Sequence, residues 1–69
     1  MSELVFLVEE AAEGGFTARA LGESIFTEAD DWDSLKQNIR EAVGCHYDDR
    51  SNRPKVIRLH LVKDEVIAL

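Results

Sequence analysis

Residues 4 to 8 read Leu4-Val5-Phe6-Leu7-Val8, and this run determines how the rest of the chain is interpreted. Branched and aromatic residues of this kind favour a β-strand. Side chains of a strand point alternately to its two faces, and in this run both sets are apolar, so both faces are predicted to be at least partly covered. It therefore indicates a central strand with a neighbour on each side, closed off by Glu9 and Glu10.

Two further strands are predicted to follow as a meander. A polar connection over residues 10–14 leads through Gly14-Gly15 into a strand over residues 16–21, where Phe and Ala alternate with Thr and Arg. The alanines in this strand leave room for a helix to lie close on their face. Gly22-Glu23 then forms a candidate turn before a short third strand over residues 24–28.

A helix is predicted from about Trp32 to about Tyr47. Asp31 precedes an apolar stripe of helical period, and its carboxylate can accept from the free N–H groups of the first turn. The helix should lose order near Gly44 or in the polar stretch 48–52 before Pro54. The stripe consists of Trp32, Leu35, Ile39, Ala42, Val43 and His46.

The residues after Pro54 predict a half-buried strand over residues 55–62, because apolar and polar side chains alternate there. Its apolar face carries Ile57, Leu59 and Leu61, and its polar face carries Arg58 and His60. Helix residues Trp32, Leu35, Ile39 and Val43 are expected to pack on that apolar face and on Ala18 and Ala20.

These elements predict an α+β fold of the form β-β-β-α-β, as a single domain over residues 1–69. A right-handed crossover through the helix places the fourth strand parallel to the first, which gives the sheet order 3-2-1-4. Residues 65–68 are consistent with either a short fifth strand or an extended arm. A chain this short buries a thin core and leaves strand edges unpaired, so a homodimer is expected.

The sheet face opposite the helix is expected to stay open and to provide a protein interface. The phase of strand one decides whether Val5 and Leu7 or Phe6 and Val8 belong to that face. The polar residues proposed for the interface are Thr17, Arg19, Arg58, His60, Glu9 and Glu10.

The amino-acid composition limits the kinds of partner that the protein is expected to bind. Eight Lys and Arg against 14 Asp and Glu give a net charge of −6, which disfavours direct binding of nucleic acid and favours a basic partner. The longest apolar run falls far short of the roughly 20 residues that span a bilayer, so no membrane contact is expected. No signal-peptide pattern opens the sequence, and a single cysteine, Cys45, fits the reducing cytoplasm.

The candidate chemical motifs predict no enzyme, metal site or cofactor. Cys45 and His46 are adjacent and lack the spacing of zinc ligands, even with His60 and the two aspartates at 48 and 49. A Cys-His nucleophile pair fails because the base must reach the thiol across a cleft. Cys45 is therefore interpreted as a small, partly buried residue, and Gly14-Gly15 as a turn instead of a phosphate loop.

Three short motifs in this order of elements resemble the HicB-like antitoxin domain over residues 3 to about 62. They are the hairpin Glu13-Gly14-Gly15-Phe16-Thr17-Ala18, the step Ile25-Phe26-Thr27-Glu28-Ala29-Asp30, and the helix segment Ile39-Arg40-Glu41-Ala42-Val43. The resemblance implies a partial ribonuclease-H-like fold and pairing with a small, basic HicA-type toxin. Family antitoxins usually carry a DNA-binding segment after this domain, whereas seven residues follow strand four here, so DNA repression is not carried over.

Two functions from different classes follow. The first is a non-catalytic interaction module that binds a small basic, toxin-like protein. The alternative is a small-ligand or enzymatic domain that uses Arg19, Arg58 and His60 on the open sheet face. An orphan homodimeric module of unrelated role also fits the sequence.

Overall fold

The computed structural model describes residues 3–69 and consists of one mixed sheet with a helix across one face. The sheet order β3-β2-β1-β4, with β1 parallel to β4, confirms the predicted α+β topology. The elements are β1 (Glu3–Glu10), β2 (Phe16–Ala20), β3 (Phe26–Ala29), α1 (Trp32–His46), a short 3₁₀ turn (Arg50–Asn52) and β4 (Val56–Val62).

Strand β1 is central, as its apolar run predicts. Leu4, Phe6 and Val8 are buried on the helix side, so Val5 and Leu7 face the opposite side of the sheet. The strand is longer than the apolar run because its pairing with β2 and β4 continues through the flanking glutamates.

Helix α1 begins at the predicted cap. The Asp31 carboxylate accepts from the Ser34 backbone N–H at 2.7 Å, which satisfies one of the free donors of the first turn. The helix runs through Gly44 and ends at His46. The Tyr47 N–H donates to the Val43 carbonyl at 3.0 Å and closes the last turn.

The core lies between α1 and the sheet. The predicted helix face is confirmed for Leu35, Ile39 and Val43, which are buried, whereas His46 at the end of the stripe is exposed. Leu61 was expected in the core, but it is 37% exposed because α1 lies over β2 and β3 and leaves the outer strand partly uncovered. The buried core residues are Leu4, Phe6, Val8, Ala18, Ala20, Ile25, Leu35, Ile39 and Val43.

Two local predictions are wrong. Strand β3 begins at Phe26 instead of residue 24, because the turn occupies residues 21–24 and the Ala20 N–H closes it by donating to the Ile25 carbonyl at 2.9 Å. Cys45 is exposed, not partly buried, since it follows the buried Val43 by two residues and lies on the outer side of the last helical turn.

Residues 63–69 follow β4 without joining a strand, so the structure has the arm and not the fifth strand. No helix among residues 3–69 is long and apolar enough to cross a membrane.

Candidate interaction surface

The sheet face away from α1 carries one side chain from every second residue of all four strands. In register across the sheet, Arg19 of β2 and His60 of β4 both lie opposite Leu7 of β1. Thr17 lies opposite Glu9 in the same way, and Arg58 lies opposite Val5. The strands therefore form one surface of mixed apolar and polar side chains, here called the open face.

The structure brings five of the six predicted interface residues to the open face. Thr17, Arg19, Arg58, His60 and Glu9 share it, because their register pairs connect them through β1. Glu10 does not share it. It pairs with Phe16, whose side chain packs on the helix side, and it lies 3.7 Å from the Lys63 ammonium.

One ion pair crosses the open face between β1 and β4. The Arg58 guanidinium Nε donates to the Glu3 carboxylate. This hydrogen bond and the attraction between the opposite charges hold the pKa of Glu3 below its ordinary value and raise that of Arg58. Arg58 is therefore engaged within the chain and is less available to a ligand than Arg19 or His60.

The open face also exposes large apolar side chains. Phe26 on β3 is 63% exposed and Val56 on β4 is 53% exposed, one at each outer strand. Val5 and Leu7 fill the centre between them and are half-buried. Sequence analysis did not assign Phe26 to the open face. The predicted strand began at residue 24, and without the register of β3 against β2 the face that the phenylalanine occupies could not be determined.

One end of the molecule is strongly acidic, and this end is reached by every strand. The carboxyl ends of β1, β3 and β4, the β1–β2 hairpin and the start of α1 all meet there. Among residues 3–69 this acidic end consists of nine carboxylates, Glu9, Glu10, Glu13, Glu28, Asp30, Asp31, Asp33, Asp64 and Glu65.

Two lysines lie near these nine carboxylates, and each already has a partner. Lys36 is paired with Asp33, and Lys63 is paired with Glu10. The other five carboxylates of residues 3–69 are matched by six Arg and Lys side chains. The net charge of −6 is therefore concentrated at one end, while the rest of the surface is close to neutral. No single stretch of sequence contains this concentration, because the fold assembles it from five segments.

A shallow, mostly polar depression of about 640 Å³ lies at the acidic end, between the hairpin and the start of α1. Hydrogen bonds that involve side chains hold its walls in place. The Asn38 amide donates to the Glu28 carbonyl at 3.0 Å and ties α1 to the end of β3. The Asp31 carboxylate accepts from the backbone N–H and hydroxyl of Ser34, and these bonds lower the pKa of Asp31.

A second polar cluster lies at the opposite end of α1, around Glu23. Its carboxylate accepts from the Tyr47 hydroxyl at 3.1 Å and lies 3.5 Å from His46 Nε2. The pKa of Tyr47 is raised, mainly because its phenol is partly desolvated and further because its hydroxyl donates to Glu23. Sequence analysis missed this contact, because Glu23 lies in a turn more than 20 residues before its partners.

The residues considered for a metal site are dispersed. Cys45 is exposed, His46 is directed at Glu23, and His60 lies on the open face. Within residues 3–69 no three His, Cys, Asp or Glu side chains are grouped in a way that could hold a metal ion.

Comparison with known proteins identifies two close relatives. A UPF0150 protein of Thermotoga maritima is 39% identical over 67 residues, which cover 97% of this chain and 93% of that protein. A UPF0150 protein of Archaeoglobus fulgidus is 49% identical over 53 residues, which cover 77% of each. No family model matches the chain, and no solved structure does. On the strength of the two relatives, the chain belongs to the UPF0150 family.

Proposed function

We propose that this protein is a non-catalytic interaction module of the cytoplasm that binds a small basic protein, in the manner of a HicB-like antitoxin and its HicA-type toxin. The observation that carries the proposal is the concentration of nine carboxylates at one end of the sheet. The motifs shared with HicB-like domains add the class of partner.

Like charges gathered at one end repel one another in the free protein. A cationic partner relieves that repulsion, and it is also steered toward the acidic end before contact. Charges separated by more than about 8 Å are largely screened at physiological ionic strength, so steering acts in the final approach. This electrostatic arrangement selects a basic surface and rejects the phosphate backbone of nucleic acid.

The open face supplies the second component of the interface. Glu9 and Glu28 belong both to the acidic end and to the open face, so the two surfaces are continuous. Exposed apolar side chains such as Phe26 beside carboxylates suit a protein partner, because stable protein interfaces combine a buried apolar centre with a polar rim. An open sheet face favours another protein over a small molecule, which binds best in concave sites.

The alternative, a small-ligand or enzymatic site on the open face, has less support. Arg58 is paired with Glu3, and Arg19 and His60 are kept apart by the strand that carries Leu7. At about 4.8 Å between neighbouring strands, their backbones are separated by roughly 10 Å on a flat sheet. Arg58 is therefore engaged with Glu3, and the other two residues are not neighbours in the sheet.

Co-expression tests the proposal. The protein is produced together with the product of the adjacent reading frame, if that frame encodes a short basic protein, and the growth of the host is measured with each gene alone and with both. The proposal predicts growth arrest by the basic protein alone, rescue by co-expression and a stable complex on gel filtration. A neighbouring basic protein that neither arrests growth nor binds, or the absence of such a gene, would contradict the toxin-pairing part.

A further inference from the structure

The arm formed by residues 63–69 has no partner for its apolar side chains within the described chain. Val66 is 95% exposed and Ile67 is 74% exposed. The molecule measures 52 × 19 × 18 Å, which indicates that the arm continues along its long axis. The eight residues of β1 span about 27 Å and seven extended residues about 23 Å, which together account for that length.

The radius of gyration agrees with this description. It is 13.5 Å, whereas a compact domain of 69 residues has about 11 Å. An apolar segment held away from its own body leaves apolar surface in water, and such segments are typical of protein contacts.

A groove that is complementary to the arm lies between α1 and β4. It has a volume of about 320 Å³, and its floor is formed by Ile39, Ile57 and Leu59. The groove exists because α1 packs over β3 and β2, so that the inner face of β4 is only partly covered. Strand β4 is also an edge strand, with backbone groups free to pair with an added strand.

The charges match as well. Arg40 and Lys55 line the groove, and Glu65, which by alternation shares the face of Ile67, brings the opposite charge to it. The arm leaves the carboxyl end of β4, whereas the groove lies beside the first residues of that strand. In a second copy related to the first by a two-fold axis beside β4, the groove of the second copy lies next to the arm of the first.

We infer that two copies of this chain exchange arms, each arm pairing antiparallel with the outer edge of the partner's β4 and covering its groove. Side chains alternate along an extended strand, so Ile67 and Leu69 share the face of Ile57 and Leu59. A two-fold axis perpendicular to the sheet preserves these faces. Ile67 therefore enters the groove, while Val66 remains on the open-face side.

This dimer does not depend on the proposed toxin-like partner, since it uses the β4 edge and the arm, and of the nine carboxylates of the acidic end it involves Asp64 and Glu65. The test is sedimentation equilibrium of the full chain and two variants, Ile67→Asp and its matched control Val66→Asp. Both changes add one negative charge to an exposed arm residue, so both variants should keep the fold and the far-ultraviolet circular dichroism of the wild type.

We expect the wild type to have twice the chain mass of 7.8 kDa at low micromolar concentration. Ile67→Asp should raise the dimer dissociation constant about 100-fold or more, because both copies lose a buried side chain, whereas Val66→Asp should change it less than about 10-fold. A monomeric wild type, or equal effects of the two substitutions, would overturn the inference.

Isotope-filtered nuclear Overhauser spectra of mixed labelled and unlabelled protein distinguish exchange from back-folding. Contacts from the Ile67 methyl groups to Leu59 should appear between chains. Contacts within one chain alone would show that the arm folds onto its own groove, and this result would also overturn the inference.

Discussion

Gly15 lies directly against the end of β3, so close that a Cβ atom at this position would be 2.7 Å from the Ala29 carbonyl oxygen. Gly15 also has a φ of +84°, which L side chains rarely adopt. The contact brings the β1–β2 hairpin beside the residues that lead into α1, and so it helps to assemble the acidic end.

Gly15→Ala is therefore expected to destabilise the protein more than Gly14→Ala. Both positions have positive φ and each alanine costs about 1–2 kcal/mol in backbone strain, but no atom lies within 4 Å of a Cβ at Gly14. Thermal unfolding of the two variants measures the difference. Equal losses would show that the close approach to Ala29 contributes nothing.

Leu35→Ala is expected to lower the free energy of unfolding by about 2–5 kcal/mol, because Leu35 is fully buried between α1 and the sheet. Leu61→Ala is the matched control, since Leu61 is 37% exposed and should cost about 1 kcal/mol or less. Urea titrations of both variants provide the two values. A loss at position 61 as large as that at position 35 would mean that the core extends further over β4.

The helix cap predicts an acid-sensitive contribution to stability. Hydrogen bonds from Ser34 lower the pKa of Asp31 below the value of about 3.9 that it has in the unfolded chain. The contribution is therefore fully present above about pH 3.9 and is lost as the pH falls through the lower folded value.

Asp31→Asn isolates this effect, because asparagine is an equally good helix cap but does not titrate. We expect the wild type to lose more stability than the variant between neutral pH and about pH 3, measured by urea unfolding at each pH. The same loss in both proteins would show that the ionised carboxylate of Asp31 contributes nothing beyond its hydrogen bonds.

The protein is expected not to bind DNA by itself. A surface with nine carboxylates at one end and near neutrality elsewhere offers few cations, such as Lys36, Arg40 and Lys55 in the groove, to replace the counterions of the phosphate backbone. A mobility-shift assay with the promoter fragment of its own gene at physiological salt should show no complex. A specific shift would contradict this expectation and would restore the repressor role that HicB-like antitoxins have.

Sequence patterns predicted most of the fold, because each element has a local signal. The apolar run of β1 placed that strand at the centre, and Asp31 marked the start of α1. The phase of β1 could not be predicted, since both faces are apolar and only packing against α1 distinguishes Phe6 from Leu7. The exposure of Leu61 follows from the position of α1 over β2 and β3, which the periodicity of β4 does not encode.

The candidate surface was less predictable than the fold. Alternation along the strands correctly grouped Arg19 with His60, but it could not separate Glu9 from Glu10 before the register was known. The acidic end depends on the parallel placement of β4, which brings Asp64 and Glu65 to the same end as the β1–β2 hairpin. Such long-range relationships arise from topology and have no local sequence signal.

The central claim is that the acidic end binds a basic protein. The most direct test is isothermal titration calorimetry of the basic protein against two charge-reversal variants of this chain. Glu28→Lys changes the acidic end, and Glu41→Lys makes the same change at an exposed position on the helix, outside the acidic end. We predict that Glu28→Lys weakens binding at least about 10-fold more than Glu41→Lys, and that the difference shrinks as salt rises. Equal effects of the two reversals, or binding that is indifferent to salt, would contradict the claim.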